Sequence, residues 1–233
     1  MSEPIYQSST NSDLPEREIV AERDASAYAP GRCVMYAVFS DLLASPFDAE
    51  PAVAGEAMDV ADLQLPYKLA GLQELLDEWR ILRTEGSDVL NREYSGLFEV
   101  GSDGPPVPIR EDLHLSQPAG VREDIVRFYD FFGYGLEEQF AWSPDHLSVE
   151  LEFMHFLCFK EAQLLEEKNS GEVVDATPYQ LAQSDFSERH LCNWISELAE
   201  KAASQADGIY PRLLAALTQF VIQDFEWQAS TIN

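Results

Sequence analysis

Basic residues are scarce in this chain. Its 233 residues include 15 Lys and Arg against 42 Asp and Glu, a formal net charge of −27. Nucleic-acid binding rests on Lys and Arg meeting phosphates, so a surface of this sign repels nucleic acid. It repels anionic lipid for the same reason. It attracts a basic peptide, most strongly where salt is too dilute to screen, the Debye length being about 10 Å at 0.1 M. An acidic proteome in a salt-adapted organism gives the same composition, and the two causes do not exclude each other.

Other absences narrow the field further. There are three cysteines, Cys33, Cys158 and Cys192, far apart and with no CxxC among them. Cys33 and Cys158 sit among apolar residues, so they read as reduced core thiols of a cytoplasmic protein. The first residues have neither a basic start nor an apolar run, so no signal peptide is expected. The charge-free stretch Leu213 to Gln223 is shorter than the ~20 residues that span a bilayer. No G-x-S-x-G elbow, P-loop or G-x-G-x-x-G fingerprint occurs, and no cysteine stands in a cluster of basic residues. The sequence therefore points away from nucleophilic and nucleotide chemistry.

What it has in quantity is helical periodicity. Residues 1 to 24 are polar and aperiodic and predict a flexible tail, followed by one all-helical domain over 25–233. A first helix is expected from Pro30 to Leu43, striped by Cys33, Tyr36, Ala37, Ser40 and Leu43. Residues 48 to 62, Ala-rich and acidic, allow one short helix. Pro66 opens an amphipathic helix carrying Leu69, Leu72, Leu76 and Trp79. Ser87 caps the next, with Leu90, Tyr94, Leu97 and Phe98 on one face, ending at Gly101. A rigid loop follows, in which Pro105, Pro106 and Pro108 forbid helix and favour an extended segment. Another helix spans Ala119 to Phe132.

The strongest element starts at Ser143-Pro144. Its stripe is Leu147, Leu151, Met154, Cys158, Ala162 and Leu165, widened by Phe153, Phe156 and Phe159, which places it mid-bundle. Thr177-Pro178 and Pro211 begin the last helical regions. The expectation is all-α, a single bundle of about seven or eight helices.

Two constellations could carry function. Glu152 and His155 form Glu-x-x-His on the most buried helix, and Glu111 and His114 repeat the spacing in the proline-bounded loop. Paired Glu-x-x-His motifs are the signature of di-iron bundles, so a metal-dependent bundle enzyme is the rival reading; a partly exposed histidine explains His155 equally. The favoured constellation joins Tyr94, Leu97 and Phe98, the Pro105, Pro106 and Pro108 loop, and Asp145-His146 at the start of the buried helix. An acid there also suits the helix dipole, and Tyr94, Leu97 and Phe98 also suit an ordinary core.

These segments carry a resemblance. EYSGLFEVGSDGPPVP, SPDHLSVELEFMHFL and FSERHLCNWISEL, with His190-Leu191 and Trp194 in the last, resemble the TorD/DmsD family of redox-enzyme maturation chaperones, NarJ-like proteins included. The match covers roughly residues 30 to 225. After the loop the chain departs from the family, carrying Ile109-Arg110-Glu111-Asp112 where relatives often have Tyr-Glu-Ser. The resemblance implies an all-α cytoplasmic chaperone without catalysis or cofactor, occurring as a monomer or weak homodimer. It implies a partner: the catalytic subunit of a molybdopterin oxidoreductase, bound through its basic twin-arginine signal peptide during cofactor insertion and proofreading before export. It also implies peptide contact at the positions of Leu97, Phe98, Pro105, Asp145 and His146. The chemistry agrees, since a guanidinium pairs well with a carboxylate and an apolar stretch fits a greasy groove.

Overall fold

Eight α-helices and no β-strand occur among the described residues, which are 25–47, 59–85, 87–102, 104–115, 119–136, 143–169 and 174–232 of a computed structural model. The helices are α1 (Ala25–Leu43), α2 (Leu72–Glu85), α3 (Ser87–Tyr94), α4 (Val121–Phe132), α5 (Leu147–Asn169), α6 (Thr177–Phe186), α7 (Ile195–Gln205) and α8 (Ile209–Ser230). The all-α bundle expected from periodicity is what forms. The tail expected over residues 1–24 lies outside the described residues, as does most of the Ala-rich stretch. Of that stretch, Val60–Asp62 makes a single 3₁₀ turn capped by the Asp59 carboxylate.

The core is built on α1 and α5, which pack along one another. On α1, Ala29, Arg32, Tyr36, Phe39 and Leu43 recur at a heptad-like spacing and are wholly buried. On α5 the corresponding set is Leu147, Leu151, Met154, Cys158 and Glu161. The expected α1 stripe through Ala37 and Ser40 is thus turned by one position. On α5, Glu161 takes the buried place expected for Ala162.

That swap introduces charge into the centre of the bundle. Arg32 reaches Asp224 of α8 through two contacts, Nε to Oδ1 at 2.6 Å and Nη2 to Oδ2 at 2.9 Å. It also donates to Glu161 at 3.3 Å and to the Gln183 side chain of α6 at 2.7 Å. Tyr36 and Tyr67 hydroxyls donate to Asp224, each at 2.7 Å, and Gln228 does so at 2.7 Å. Gln180 and Gln183 both donate to Glu161, each at 2.8 Å. A buried ion pair of this kind costs desolvation, and here nearly every lone pair is met. The network ties α1, α5, α6 and α8 in a single register. Gly31 makes room for it: a Cβ there would sit 2.3 Å from the Gln64 carbonyl oxygen, so only glycine lets the segment carrying Tyr67 lie on α1.

Helix starts differ from the sequence expectation. α1 begins at Ala25 rather than Pro30, which lies inside the helix, and α4 begins at Val121 rather than Ala119, after Gly120 at φ 90°. α2 begins at Leu72, not Pro66, because Gly71 (φ 74°) breaks the chain direction first. α8 begins two residues before Pro211, which sits in the first turn where its missing N–H is not needed. α5 begins at Leu147 rather than Ser143, because the residues before it are engaged in the contact described next.

Candidate functional site

The proline loop is fixed at both ends by main-chain bonds. At its start, the Val107 N–H donates to the Leu97 carbonyl at 2.9 Å. At its end, the Leu147 N–H donates to Ile109 (3.2 Å) and the Glu111 N–H to Asp145 (3.0 Å), pairing Arg110 with His146 in an antiparallel bridge. The three segments of the expected constellation are therefore brought together, through backbone. This pairing occupies Asp145 and explains why α5 starts late.

His146 then serves as the N-cap of α5. Its Nδ1 accepts from the Ser148 N–H at 3.3 Å and pairs with the Ser148 hydroxyl at 2.8 Å. Capping needs a free lone pair. Burial holds the imidazole neutral, dropping its pKa to about 4; Asp145 opposes that shift and Arg110 adds to it.

The side chains of Tyr94, Leu97 and Phe98 turn inward. All are buried, and Tyr94 and Phe98 pack edge-on against each other and against Tyr210 of α8. They support the loop from behind. The loop itself meets solvent: Pro106 is exposed, and Pro105 and Pro108 are half-buried. Leu97 and Phe98 belong to a π-helical turn, Ser95–Glu99, closed by the Val100 N–H on the Ser95 carbonyl at 2.8 Å. A second π turn, Ser187–Leu191, extends α6 and carries His190. Such turns are inserted residues in an α-helix and concentrate at functional sites.

Beneath the loop lies a cluster of acids with too few bases. Asp145 is fully buried, with Arg122 at 3.3 Å and Arg110 at 3.4 Å. Arg110 also holds Asp112 at 2.8 Å. Glu111, buried, accepts from His190 Nδ1 at 3.0 Å, and His190 Nε2 faces Asp124 at 3.2 Å. Asp124 in turn pairs with Arg189. Glu150 is fully buried facing Glu111 and the Trp194 indole, and neither of its oxygens has a hydrogen-bond partner in good geometry. Burial pushes the Glu150 carboxyl well above the usual range, and Glu111 and Asp145 push it the same way. Burial also raises Glu111, with His190 pulling against it. A line of acid and imidazole thus runs from Glu150 through Glu111 and His190 to Asp124 at the surface.

The metal reading finds little support in this geometry. Glu152 points to solvent, and His155 Nδ1 bonds the Cys33 carbonyl at 3.0 Å. Glu111 turns to His190, while His114 bonds the Pro108 carbonyl at 2.6 Å, so that pair diverges. Among the described residues no trio of His, Cys, Asp or Glu is arranged to hold a metal ion. Burial raises all three thiols, Cys33 to about 11 and Cys192 to about 12, which leaves them unreactive.

Sequence reasoning missed Arg110, Arg122, Asp124 and Glu150. Glu150 had a signal: it lies three residues after Leu147 and four before Met154, in phase with the buried stripe. The others are drawn in by tertiary contacts alone.

Residues 61–200 match the nitrate reductase delta subunit family. The chain is 33% identical over 134 residues to a chlorate reductase assembly chaperone protein of Ideonella dechloratans, covering 54% of this chain and 67% of that one. It is 32% identical over 136 residues to a selenate reductase assembly chaperone protein of Thauera selenatis, covering 58% and 67%. A shorter match, 29% over 79 residues and 34% of each chain, links it to the chaperone protein TorD of Vibrio parahaemolyticus. The family match spans more than half of the sequence, and the Tyr94–Pro108, Asp145–His146 and His190–Trp194 segments all fall within it. The chain belongs to the nitrate reductase delta subunit family, the TorD/DmsD and NarJ-like group of assembly chaperones rather than enzymes.

Proposed function

We propose that this protein is the maturation chaperone of a molybdopterin oxidoreductase and acts in the cytoplasm. It binds the basic signal peptide or N-terminus of the catalytic subunit, holds it during cofactor insertion and releases it for export. The observation that carries this reading is the clamped proline loop standing over an acid-rich cluster, in a family whose named relatives assemble reductases. A stiff apolar ledge beside buried carboxylates suits a segment that is cationic at one end and apolar along the rest.

The roles divide by exposure. Pro105, Pro106 and Pro108 make the contact, and Tyr94, Leu97 and Phe98 set the loop's position from inside. Asp145 and His146 fix its far end. A client guanidinium reaches Asp145 by exchange with Arg122, the more exposed of its two arginine neighbours. Such an exchange trades one charge-assisted pair for another and keeps binding weak enough for release.

The test is removal of the gene from the native host. The expected result is a catalytic subunit of a molybdenum-containing reductase that accumulates without metal or activity. A fully metallated, active set of reductases would overturn the reading.

A further inference from the structure

A cavity of about 170 Å³ lies where the ends of α1 and α2 meet the starts of α3 and α8. Its walls include Asp41 and Leu42 of α1, Trp79 and Arg83 of α2, Leu90 of α3 and Tyr210 of α8. None of the loop prolines or of the Glu111–Glu150 cluster lines it. A space of about 150 Å³ takes up benzene, so this one suits a molecule of about six to nine heavy atoms. Two polar groups on its walls are unmet. Trp79 is buried, and its Nε1–H has no acceptor among the described residues. Asp41 Oδ2 is buried and lacks a donor in bonding geometry among them. The Arg83 guanidinium stands 3.6 Å from that oxygen, too far for a hydrogen bond, and lies over the Trp79 ring at 4.9 Å. Buried polar atoms are nearly always met, so two unmet ones around one small cavity point to a ligand.

We infer that this cavity binds a small apolar α-amino acid, with its ammonium on Asp41, its carboxylate on Arg83 and its side chain against Leu42, Leu90 and Tyr210. The site goes beyond the chaperone reading and does not depend on it. Charge narrows the occupant. A chain of net charge −27 works against a free anion at Arg83. Arg83 in turn repels a bare cation at Asp41, a client arginine included. A zwitterion meets neither objection. Spacing narrows it further. In an α-amino acid the ammonium nitrogen and the carboxyl carbon flank one Cα and lie about 2.5 Å apart. Asp41 and Arg83 stand side by side at 3.6 Å, so one short head group spans both, where a longer zwitterion would overshoot. A carboxylate on Arg83 also lies next to the indole on which Arg83 stacks, within the neighbourhood of its unmet N–H. The carbon chain then has an aliphatic and aromatic wall to lie against. Burial raises the Asp41 carboxyl and Arg83 opposes that shift, so a bound ammonium would favour the ionised form.

The test is calorimetric titration of the full chain with L-leucine, beside nitrogen-edited NMR of the tryptophan indoles. Two probes each lack one charge: 4-methylpentanoate has no ammonium and 3-methylbutylamine no carboxylate. Asp41→Asn and Arg83→Gln remove the two charges from the protein, and Lys201→Gln, on the exposed side of α7, is the control. The expected result is one leucine bound per chain, with the Trp79 indole resonance shifted on binding. Each single-charge probe, and each of Asp41→Asn and Arg83→Gln, should weaken binding tenfold or more, while Lys201→Gln leaves it unchanged. Absence of heat and of any indole shift with millimolar L-leucine or L-valine overturns the inference. So does equal affinity for the single-charge probes, which is read on the wild type and does not require the variants to fold. Binding that Asp41→Asn and Arg83→Gln both leave intact places the ligand elsewhere and overturns it too.

Discussion

Two buried charge clusters sit in this bundle, and they are built on opposite plans. Around Arg32, one cation meets two carboxylates, two tyrosines and three glutamines, and almost every polar atom has a partner. Burial alone would raise Asp224, yet Arg32 and the surrounding hydrogen bonds hold it below the usual carboxylate range. Around Glu111 and Glu150, acids outnumber bases, oxygens lack partners, and both carboxyls are raised. The first arrangement locks four helices in register. The second leaves buried acids beneath the loop short of partners. A satisfied polar network fixes helix register; one short of partners carries a cost that the rest of the fold must offset.

The contrast breaks most sharply at Arg32. Arg32→Met strands Asp224 and Glu161 without a cation, and the expected loss is about 3–5 kcal/mol, read as a lowered urea midpoint. Next is His146, whose folded-state pKa of about 4 lies below its ordinary 6.5. The unfolded chain binds the proton more readily, so stability falls as pH drops through that window, by up to about 3 kcal/mol. His146→Asn keeps an N-cap acceptor that does not titrate, so its urea midpoint should vary less between those two pH values.

Glu150→Gln is expected to act in the opposite sense to Arg32→Met. The wild-type carboxyl is raised, so its contribution weakens as pH rises from the ordinary carboxylate range. The amide removes that penalty, with a gain on the order of 1–2 kcal/mol at pH 9 and little change at pH 5. Thermal melts at the two pH values measure it, and a loss at pH 9 would place Glu150 with the satisfied network. Smallest is Phe131→Ser, which should change stability by less than about 0.5 kcal/mol because the ring is 80% exposed.

The apolar helices were legible because period and caps agree over long stretches, as on α5 and α8. The charged cores were not, because a hydrophobic stripe is sought among apolar residues. Arg32 falls four residues before Tyr36, Glu161 three after Cys158 and Asp224 three after Val221, each in phase with a buried face. A charge in phase with a stripe is a sequence signal for an interhelical network. The starts of α2 and α5 were misplaced for a different reason: Gly71 and the Asp145–Ile109 region are settled by contacts distant in sequence. The three segments of the expected constellation do meet, and Leu97 and Phe98 take the core reading of the two the sequence offered, because Tyr210 lies beside them.

The fixed ends of the proline run have an entropic consequence. Most recognition loops lose conformational freedom when a ligand arrives, at about 0.5–1.5 kcal/mol for each mobile side chain stilled. Here Val107, Ile109 and Glu111 are already bonded and the prolines between and before them have one stiff torsion each. A peptide lying along this edge meets a ready-made wall. The ordering cost falls on the visitor alone, and a visitor that regains its freedom on leaving is one the wall can give up.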